Sequence, residues 1–396
     1  MQATVYSAVA HARETTDAYT SDARRAGSTM WRCYNAQRDE RRSSTRTMTT
    51  LILGPNHPLL RPPQRCVLQL DGEHVRDIEY RDTTPDSDPG AVMIGYPVVA
   101  ASARMIAAAR VTPAAHALAF CAAVETALVR AVPPAAAHLR LVLLECERAL
   151  AHLGNAAQML MAIGLDHDAA TLRDCVTNLD TSLAAGTGFA AVTIVPGGIE
   201  YVPDDTLLRT VTVIQPRVYR VAERLIVARG VLARTVGIGV LRPEAVVQFG
   251  TSGPLARASG DAEDLRTADV RYSEYGFQRA TQPGGDVHAR LVVLLLEAVE
   301  ALRLVDQMLR RAEVIPPVAV LTVASGAGSA VVESAYGPLG WTVAIEQGLV
   351  TRATPQLPRA LDRLLARTLL VDAYVDDTIA ILASACAPPP LWDLVS

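Results

Sequence analysis

One stretch of the chain places acids, an arginine and a histidine at helical spacing. It reads Glu145-Cys-Glu147-Arg148-Ala-Leu-Ala-His152. Residues four positions apart share one helix face, so Arg148 and His152 point the same way, with two glutamates nearby. Such a set could serve acid–base catalysis, because histidine titrates near neutral pH. It could also form a buried structural ion-pair network, and that is the interpretation we favour.

Three further residues could do chemistry, and each also has a structural explanation. Arg257 lies in the small-residue loop from Gly253 to Gly260, where its guanidinium could face a cavity or tie two helices together. Asp286 directly precedes a predicted helix and is a good helix N-cap. His57 stands beside Pro58, where it either lines a site or caps a turn.

The cysteines give no metal motif. No two of the six lie within four residues of each other, so neither a zinc knuckle nor an iron–sulfur motif can be assigned. Cys121 and Cys146 fall in apolar helical stretches and are predicted core thiols. Nothing suggests a disulfide framework, which fits a reducing cytoplasm. The six are Cys33, Cys66, Cys121, Cys146, Cys175 and Cys386.

Composition argues against nucleic-acid binding and against a membrane-spanning segment. The net charge is −4, aromatic residues make up 5% of the chain, and no basic run stands out beyond Arg24–Arg46, so nucleic acid is not expected. No stretch reaches about 18 uninterrupted apolar residues, so we expect no transmembrane segment. Any membrane association would therefore go through partner proteins.

The elements that must hold these residues predict a mainly α fold (α+β), with a helical bundle and small β elements near both ends. Asp71-Gly72 between two alternating runs predicts a β-hairpin over 66–80, and Gly326 and Gly328 predict a turn. Helices are predicted at 98–110, 114–131, from Pro133-Pro134 onward, 167–185, 205–229, 288–312 and 357–371, and strands at 318–323 and 341–345. The predicted divisions are a disordered tail or misassigned start (1–47), a hairpin region (48–90), the bundle (91–315) and an α+β region (316–396).

Six collinear segments resemble the large-subunit family shared by respiratory complex I (its 49-kDa subunit) and membrane-bound energy-converting nickel–iron hydrogenases. The resemblance runs from about Leu53 to Ala385. It implies the family's central helical bundle. The segments are Gly54-Pro-Asn-His57-Pro58, His116–Glu125, Val132–Leu153, Arg234–Gly239, Gly253–Arg266 and Glu333–Arg352.

The hydrogenases of this family hold nickel with two CxxC pairs, and the resemblance places those positions on residues without sulfur. The first pair falls on Ala109 and Thr112, and the second on Pro388 and Leu391. Methyl and hydroxyl groups do not replace the soft thiolates that a nickel–iron centre needs. We therefore expect no nickel and no other metal bound by this chain.

Complex I members use the same cavity for a quinone, whose reduced oxygens need hydrogen-bond donors. By the resemblance, the donor histidine is His57, the donor tyrosine falls on Ala108 and the supporting aspartate falls on Ala162. His57 is thus the candidate quinone donor, with Arg257 as a second cavity residue. Arg148, His152, Asp286 and Glu333 are candidates for a structural or cavity-lining role.

Two functions follow from the resemblance, and whether the chain itself catalyses a reaction stays open between them. In the first, the chain packs on an iron–sulfur small subunit of a membrane-associated NADH:quinone oxidoreductase or hydrogenase-type complex. It would lie on the cytoplasmic face of the cell membrane, hold no cofactor of its own beyond a quinone, and support proton-coupled electron transfer. In the second, it is an inactive structural or assembly subunit of such a complex.

Overall fold

The computed structural model describes residues 48–54, 57–60, 64–82, 90–109, 111–184, 194–200, 205–312, 324–359 and 361–385. Three predictions lie outside these ranges: the tail 1–47, the strand 318–323, and the second ligand pair, Pro388 and Leu391.

Helices make up most of the described chain. The third begins at Pro134, which is well suited to the first turn because its missing N–H has no helical partner there. In chain order they are α1 (Val98–Ala108), α2 (Pro113–Ala127), α3 (Pro134–Ala162), α4 (Asp166–Ala184), α5 (Asp205–Val227), α6 (Arg229–Thr235), α7 (Pro243–Phe249), α8 (Gly253–Arg257), α9 (Val270–Ser273), α10 (Val287–Arg310), α11 (Arg363–Leu370) and α12 (Thr378–Ser384).

The strands form three small antiparallel sheets. The predicted hairpin is confirmed as β2 (Gln64–Asp71) and β3 (His74–Asp82), and β1 (Thr49–Leu53) adds a third strand beside β2. The short strands β4 (Ile194–Val195) and β5 (Gly198–Ile199) form a two-stranded sheet joined by a tight turn. The third sheet has the order β6–β7–β8. Its strands are Gly326–Ser334, Gly337–Glu346 and Leu349–Gln356.

The two long helices α3 and α10 pack on each other at the centre of the core. Helix α4 packs on α3, α5 packs on α10, and α2 lies between α3 and the sheet β6–β8. The predicted mainly α fold with β elements near both ends is confirmed. Among the described helices, none has the length and apolarity needed to cross a bilayer.

Two local predictions are wrong. Gly326 and Gly328 lie in β6 and not in a turn. A Cβ at Gly328 would sit 2.4 Å from the carbonyl oxygen of Ala123, so glycine permits the close approach of this strand to α2. The predicted helix 357–371 begins only at Arg363, where the Asp362 side chain accepts from the N–H of Leu365.

Candidate functional site

The polar centre of the fold is a set of buried charged side chains from α3, α8, α10, β6 and the segment between α8 and α9. We call this set, with the tyrosine bonded to it, the ionic cluster. Each member is at most 6% exposed. Its members are Glu145, Arg148, His152, Arg257, Asp264, Arg266, Tyr272, Glu297 and Glu333.

Arg257 is the central cation of the ionic cluster. Its Nε lies 2.6 Å from Oε1 of Glu297, and its Nη2 lies 3.2 Å from Oε2 of the same carboxylate. Its Nη1 donates to Oε1 of Glu333 at 2.9 Å. The guanidinium therefore joins α8 to α10 and to β6, as a planar fork of donors can do.

Arg148 connects α3 to the end of β6. Its Nε lies 3.1 Å from both carboxylate oxygens of Glu145. Its Nη1 and Nη2 donate to the backbone carbonyls of Ser334 and Glu333, at 2.7 and 2.5 Å. The spacing-based prediction that Arg148 enters a buried ion-pair network agrees with these contacts.

Arg266 joins Asp264 to the carboxylates of Glu145 on α3 and Glu297 on α10, at 3.4 and 3.5 Å. Its Nη2 lies 2.7 Å from Oδ2 of Asp264, and its guanidinium stacks 4.4 Å from the ring centre of Phe277. Tyr272 donates its hydroxyl to Oε1 of Glu145 at 2.7 Å. Burial and the charge of Glu145 hold the pKa of Tyr272 well above its usual range, so the tyrosine acts as a donor.

His152 faces Glu297, with 2.9 Å between Nε2 and Oε2. Within the described residues its Nδ1 has no hydrogen-bond partner. Burial lowers the pKa of His152, although Glu297 opposes that shift. Burial also disfavours ionisation of Glu297, but Arg257 and His152 together hold the pKa of this carboxyl well below its usual range. The pair is therefore a neutral imidazole donating to a carboxylate.

Glu147 does not join the ionic cluster, although the sequence grouped it with Glu145. Its two carboxylate oxygens accept from the backbone N–H groups of Ala114 and Ala115, at 2.6 and 3.1 Å. It therefore caps the N-terminus of α2 from the neighbouring helix. Burial raises the pKa of Glu147 to about 8, while the two N–H groups favour its ionised form.

The first pair of predicted ligand positions lies at the entrance of α2. Ala109 is 3% exposed and Thr112 is 6% exposed. Thr112 has φ of 50°, a left-handed conformation that costs energy for a β-branched residue. Ala108 and Ala162, which the resemblance places at the tyrosine and aspartate positions of a quinone site, are half-buried and pack against the core. Within the described ranges, no group of three or more histidine, cysteine or acidic side chains is arranged to hold a metal ion.

His57 and Asp286 make bonds outside the ionic cluster. The Nδ1 of His57 accepts from the backbone N–H of Leu59 at 3.2 Å. Because Nδ1 is the acceptor, the hydrogen of a neutral imidazole sits on Nε2. Asp286 caps α10 through the N–H of Ala289 at 2.8 Å and also accepts from Gly237 at 2.7 Å. The described contacts thus unite Arg148, His152, Arg257 and Glu333, with His57 and Asp286 bonded elsewhere.

Sequence reasoning did not assign a partner role to Glu297, Asp264, Arg266 or Tyr272. One signal was available for Glu297: it directly follows the apolar run Leu291–Leu296 in a helix that is buried almost throughout. A charge in such a position needs a buried counter-charge. The sequence does not say which arginine provides it.

A second buried ion pair fixes the turn between β4 and β5. The Arg140 guanidinium on α3 lies 2.7 Å from Oε1 of Glu125 on α2. It also donates to the carbonyls of Val195 and Gly198, at 2.6 and 3.0 Å. Glu125 in turn accepts from the N–H of Gly197 at 2.8 Å. The turn at Pro196–Gly198 is therefore held to α2 and α3 by one pair of charges.

Comparison with known proteins gives consistent results. The family model for the 49 Kd subunit of respiratory-chain NADH dehydrogenase matches residues 169–325. An NADH-quinone oxidoreductase subunit of Sinorhizobium medicae is 31% identical over 275 residues, which cover 66% of this chain and 67% of that protein. The carbon monoxide-induced hydrogenase of Rhodospirillum rubrum is 28% identical over 279 residues, covering 66% and 75%.

The fold also matches a solved structure. A chain in the structure of the membrane-bound sulfane sulfur reductase, an archaeal respiratory membrane complex, superimposes with a TM-score of 0.77 and 23% identity. The match covers 85% of this chain and 96% of that chain. At this identity it shows that the two share a fold.

Proposed function

The chain belongs to the family of the 49-kDa subunit of NADH-quinone oxidoreductases, whose relatives include hydrogenases, and on this premise we propose that it is a non-nickel subunit of a membrane-associated redox complex. In this role it packs on an iron–sulfur small subunit, and the cluster belongs to that partner. In this proposal the chain lies on the cytoplasmic face of the cell membrane. The chain reaches the membrane through its partners.

One observation carries this proposal: a relative that is 31% identical aligns over 66% of the chain, while the residues that the resemblance places at the first ligand pair are buried and free of sulfur. By the resemblance, Ala109 and Thr112 stand where a nickel–iron centre would require two thiolates. The four cysteines in the described residues are all buried. Burial raises the pKa of Cys121 to about 12, which keeps it a thiol.

We further propose that His57 donates a hydrogen bond to a bound quinone. The bond from Leu59 to Nδ1 orients the ring and leaves Nε2–H as its donor. A donor held in place by the backbone stabilises the negative charge that develops on a quinone oxygen during reduction. The Arg257 guanidinium is fully engaged with carboxylates, so its role is to position α8.

The test is quinone-dependent turnover of the purified complex carrying His57→Ala. We expect turnover to fall roughly a hundredfold, within the range usual for loss of a proton donor, while the subunit stays in the complex. His167→Ala, at an exposed position on α4, is the matched control and should keep full turnover. Unchanged turnover in the His57 variant would show that His57 takes no part in quinone reduction.

A second candidate function is a purely structural one, in which the subunit holds its partners together without binding an acceptor. The observation that favours it is the replacement of two quinone-binding positions by Ala108 and Ala162, both packed against the core. The two candidates differ in quinone-analogue binding to the purified complex. Metal analysis of the purified chain should find no nickel, and stoichiometric nickel there would contradict both candidates.

A further inference from the structure

We propose that the carboxyl of Glu333 is a proton-binding site that holds one proton at neutral pH inside the ionic cluster. The charges and hydrogen bonds of the ionic cluster support this protonation state, which does not depend on the proposed function.

The ionic cluster contains more acids than bases. Three arginines stand against four carboxylates, all at most 6% exposed. With every one of these groups ionised, three positive charges and four negative charges would leave one unbalanced negative charge in the protein interior. An unpaired buried charge is so costly that one group instead changes its protonation state.

The two neutral members of the ionic cluster do not supply the missing positive charge. His152 uses Nε2–H toward Glu297, and its buried Nδ1 has no acceptor among the described residues. A doubly protonated imidazole would need one. Tyr272 already donates its only hydrogen to Glu145. The extra proton therefore belongs on a carboxylate.

Three of the four carboxylates are well supplied with donors. Glu145 receives Arg148 at both oxygens and Tyr272 at one. Glu297 receives Arg257 at both oxygens and His152 at one. Charge-assisted bonds of this kind favour the ionised form.

Asp264 is supplied in the same way. Its Oδ1 accepts from the backbone N–H and from Nε of Arg266, both at 3.0 Å. Its Oδ2 lies 2.7 Å from Nη2 of Arg266 and 3.6 Å from Nη1 of Arg257. Both oxygens of this carboxylate are therefore paired with guanidinium groups.

Glu333 is the poorly supplied carboxylate. Its Oε1 accepts one bond, from Nη1 of Arg257 at 2.9 Å. Among the described residues, its Oε2 receives only the backbone N–H of Leu265, at 3.4 Å, which is near the limit of a hydrogen bond. The unbalanced proton therefore fits on Oε2 of Glu333, where it displaces no strong donor.

The surroundings of Glu333 favour its neutral form. Burial raises the pKa of Glu333, Arg257 lowers it, and Asp264 raises it again, with a net upward shift. The charged groups that act on Glu333 are Arg257 on α8, Asp264 after α8 and Arg148 on α3. The other members of the ionic cluster contact these groups or one another and not the Glu333 carboxyl: Glu145, His152, Arg266, Tyr272 and Glu297.

A buried acid of this kind responds to nearby charge: an added negative charge strengthens proton binding, and its removal weakens it. If the proposed redox function holds, reduction of an acceptor near the ionic cluster would raise the proton affinity of the Glu333 carboxyl, and reoxidation would lower it. This consequence rests on the proposed function, whereas the protonation of Glu333 does not.

The first test compares Glu333→Gln with Glu297→Gln in the full chain by denaturant unfolding. An amide mimics a neutral carboxylic acid and does not titrate, so the Glu333 variant should unfold at neutral pH at a denaturant midpoint equal to or above that of wild type. The Glu297 variant removes an ionised partner of the same arginine, so its unfolding midpoint should fall to a clearly lower denaturant concentration. If the Glu333 variant loses as much as the Glu297 variant, or fails to fold, the proposal is wrong.

The second test follows the same midpoints from about pH 5 to about pH 9. A carboxyl whose pKa is raised on folding stabilises the protein fully below its unfolded value, and this stabilisation is lost as the pH rises through the folded value. As the pH rises, the unfolding midpoint of wild type should therefore fall relative to that of Glu333→Gln. A difference that does not change with pH would overturn the proposal.

Infrared spectroscopy with isotope-labelled glutamate gives an independent readout. Wild-type protein at neutral pH should show a stronger protonated-carboxyl band than Glu333→Gln, in which only other protonated glutamates such as Glu147, whose pKa burial raises to about 8, contribute. If the two proteins show bands of equal intensity, Glu333 is ionised.

Discussion

Arg257 and Glu297 form a bidentate ion pair between α8 and α10, with N–O distances of 2.6 and 3.2 Å. Both residues are at most 1% exposed. The pair links a short helix in the Gly253–Gly260 segment to a central helix of the bundle. Because neither charge can reach water, each depends on the other.

Removing one member of this pair should therefore be strongly destabilising. Glu297→Gln is expected to lower the free energy of unfolding by about 4 kcal/mol, because it leaves Arg257 without its bidentate acceptor. Asp306→Asn is the matched control on the same helix, since Asp306 pairs with Arg310, whose side chain is 55% exposed. It should lose at most about 1 kcal/mol in the same chemical denaturation experiment.

A methyl group at Gly253 should disturb the contact between α8 and the turn that follows β6. A Cβ there would lie 2.3 Å from the carbonyl oxygen of Tyr336, and φ is 65°. We expect Gly253→Ala to lower the unfolding free energy by about 3 kcal/mol or more. Gly250→Ala shares the positive φ of 59° but meets no atom within 4 Å, so it should cost only about 1 kcal/mol. Equal losses would show that the contact with Tyr336 is unimportant.

Even a conservative replacement of Arg140 should destabilise the protein, because its guanidinium bonds both Glu125 and the carbonyls of Val195 and Gly198. Lysine keeps the charge but cannot make these bonds together. We expect Arg140→Lys to lower the unfolding free energy by about 2 kcal/mol or more. Arg217→Lys, in a pair with the 55% exposed Asp174, is the control and should stay within about 0.5 kcal/mol. A tolerated lysine at 140 would mean that the turn needs only a nearby positive charge.

His116 should make the protein sensitive to acid. It is fully buried and accepts from Nε1 of Trp341 at 3.1 Å, and burial lowers its pKa from 6.5 to about 3. The unfolded chain then binds a proton below about pH 6.5 that the folded chain refuses, so stability falls as the pH drops toward about 3. The loss from this group should reach about 2 kcal/mol at about pH 5.

Unfolding measured against pH in wild type and His116→Asn tests this expectation. The asparagine oxygen can accept from Trp341 but carries no titratable proton. The variant should show a shallower loss of stability in acid than the wild type. Identical acid limbs would show that another group controls acid unfolding.

Much of the fold follows from local sequence. The helix starting at Pro134, the hairpin around Asp71-Gly72 and the N-cap at Asp286 were all predicted from residues close together in the chain. Periodicity and cap chemistry are local properties, so they can be recognised in the sequence without knowledge of the fold. The family was identified from motif order in the same way, and the comparisons confirm it.

Partnership within the ionic cluster did not follow from the sequence. Spacing placed Arg148 and His152 on one face of α3, but not opposite Glu297, which lies 145 residues beyond His152. Spacing also grouped Glu147 with them, whereas the structure turns it toward the N-terminus of α2. Neighbours on one helix can diverge because a buried side chain goes to the partner that best offsets its loss of water.

The amino-acid sequence by itself determined the family, the main helices and the absence of cysteine at the four expected nickel-ligand positions. The tertiary structure alone decided which charges meet, because ion pairs between distant elements form only where packing brings those elements together. It thereby left Glu333 with fewer donors than the other carboxylates of the ionic cluster. Its shortage of partners is a property of the assembled core and appears in no local stretch of the chain.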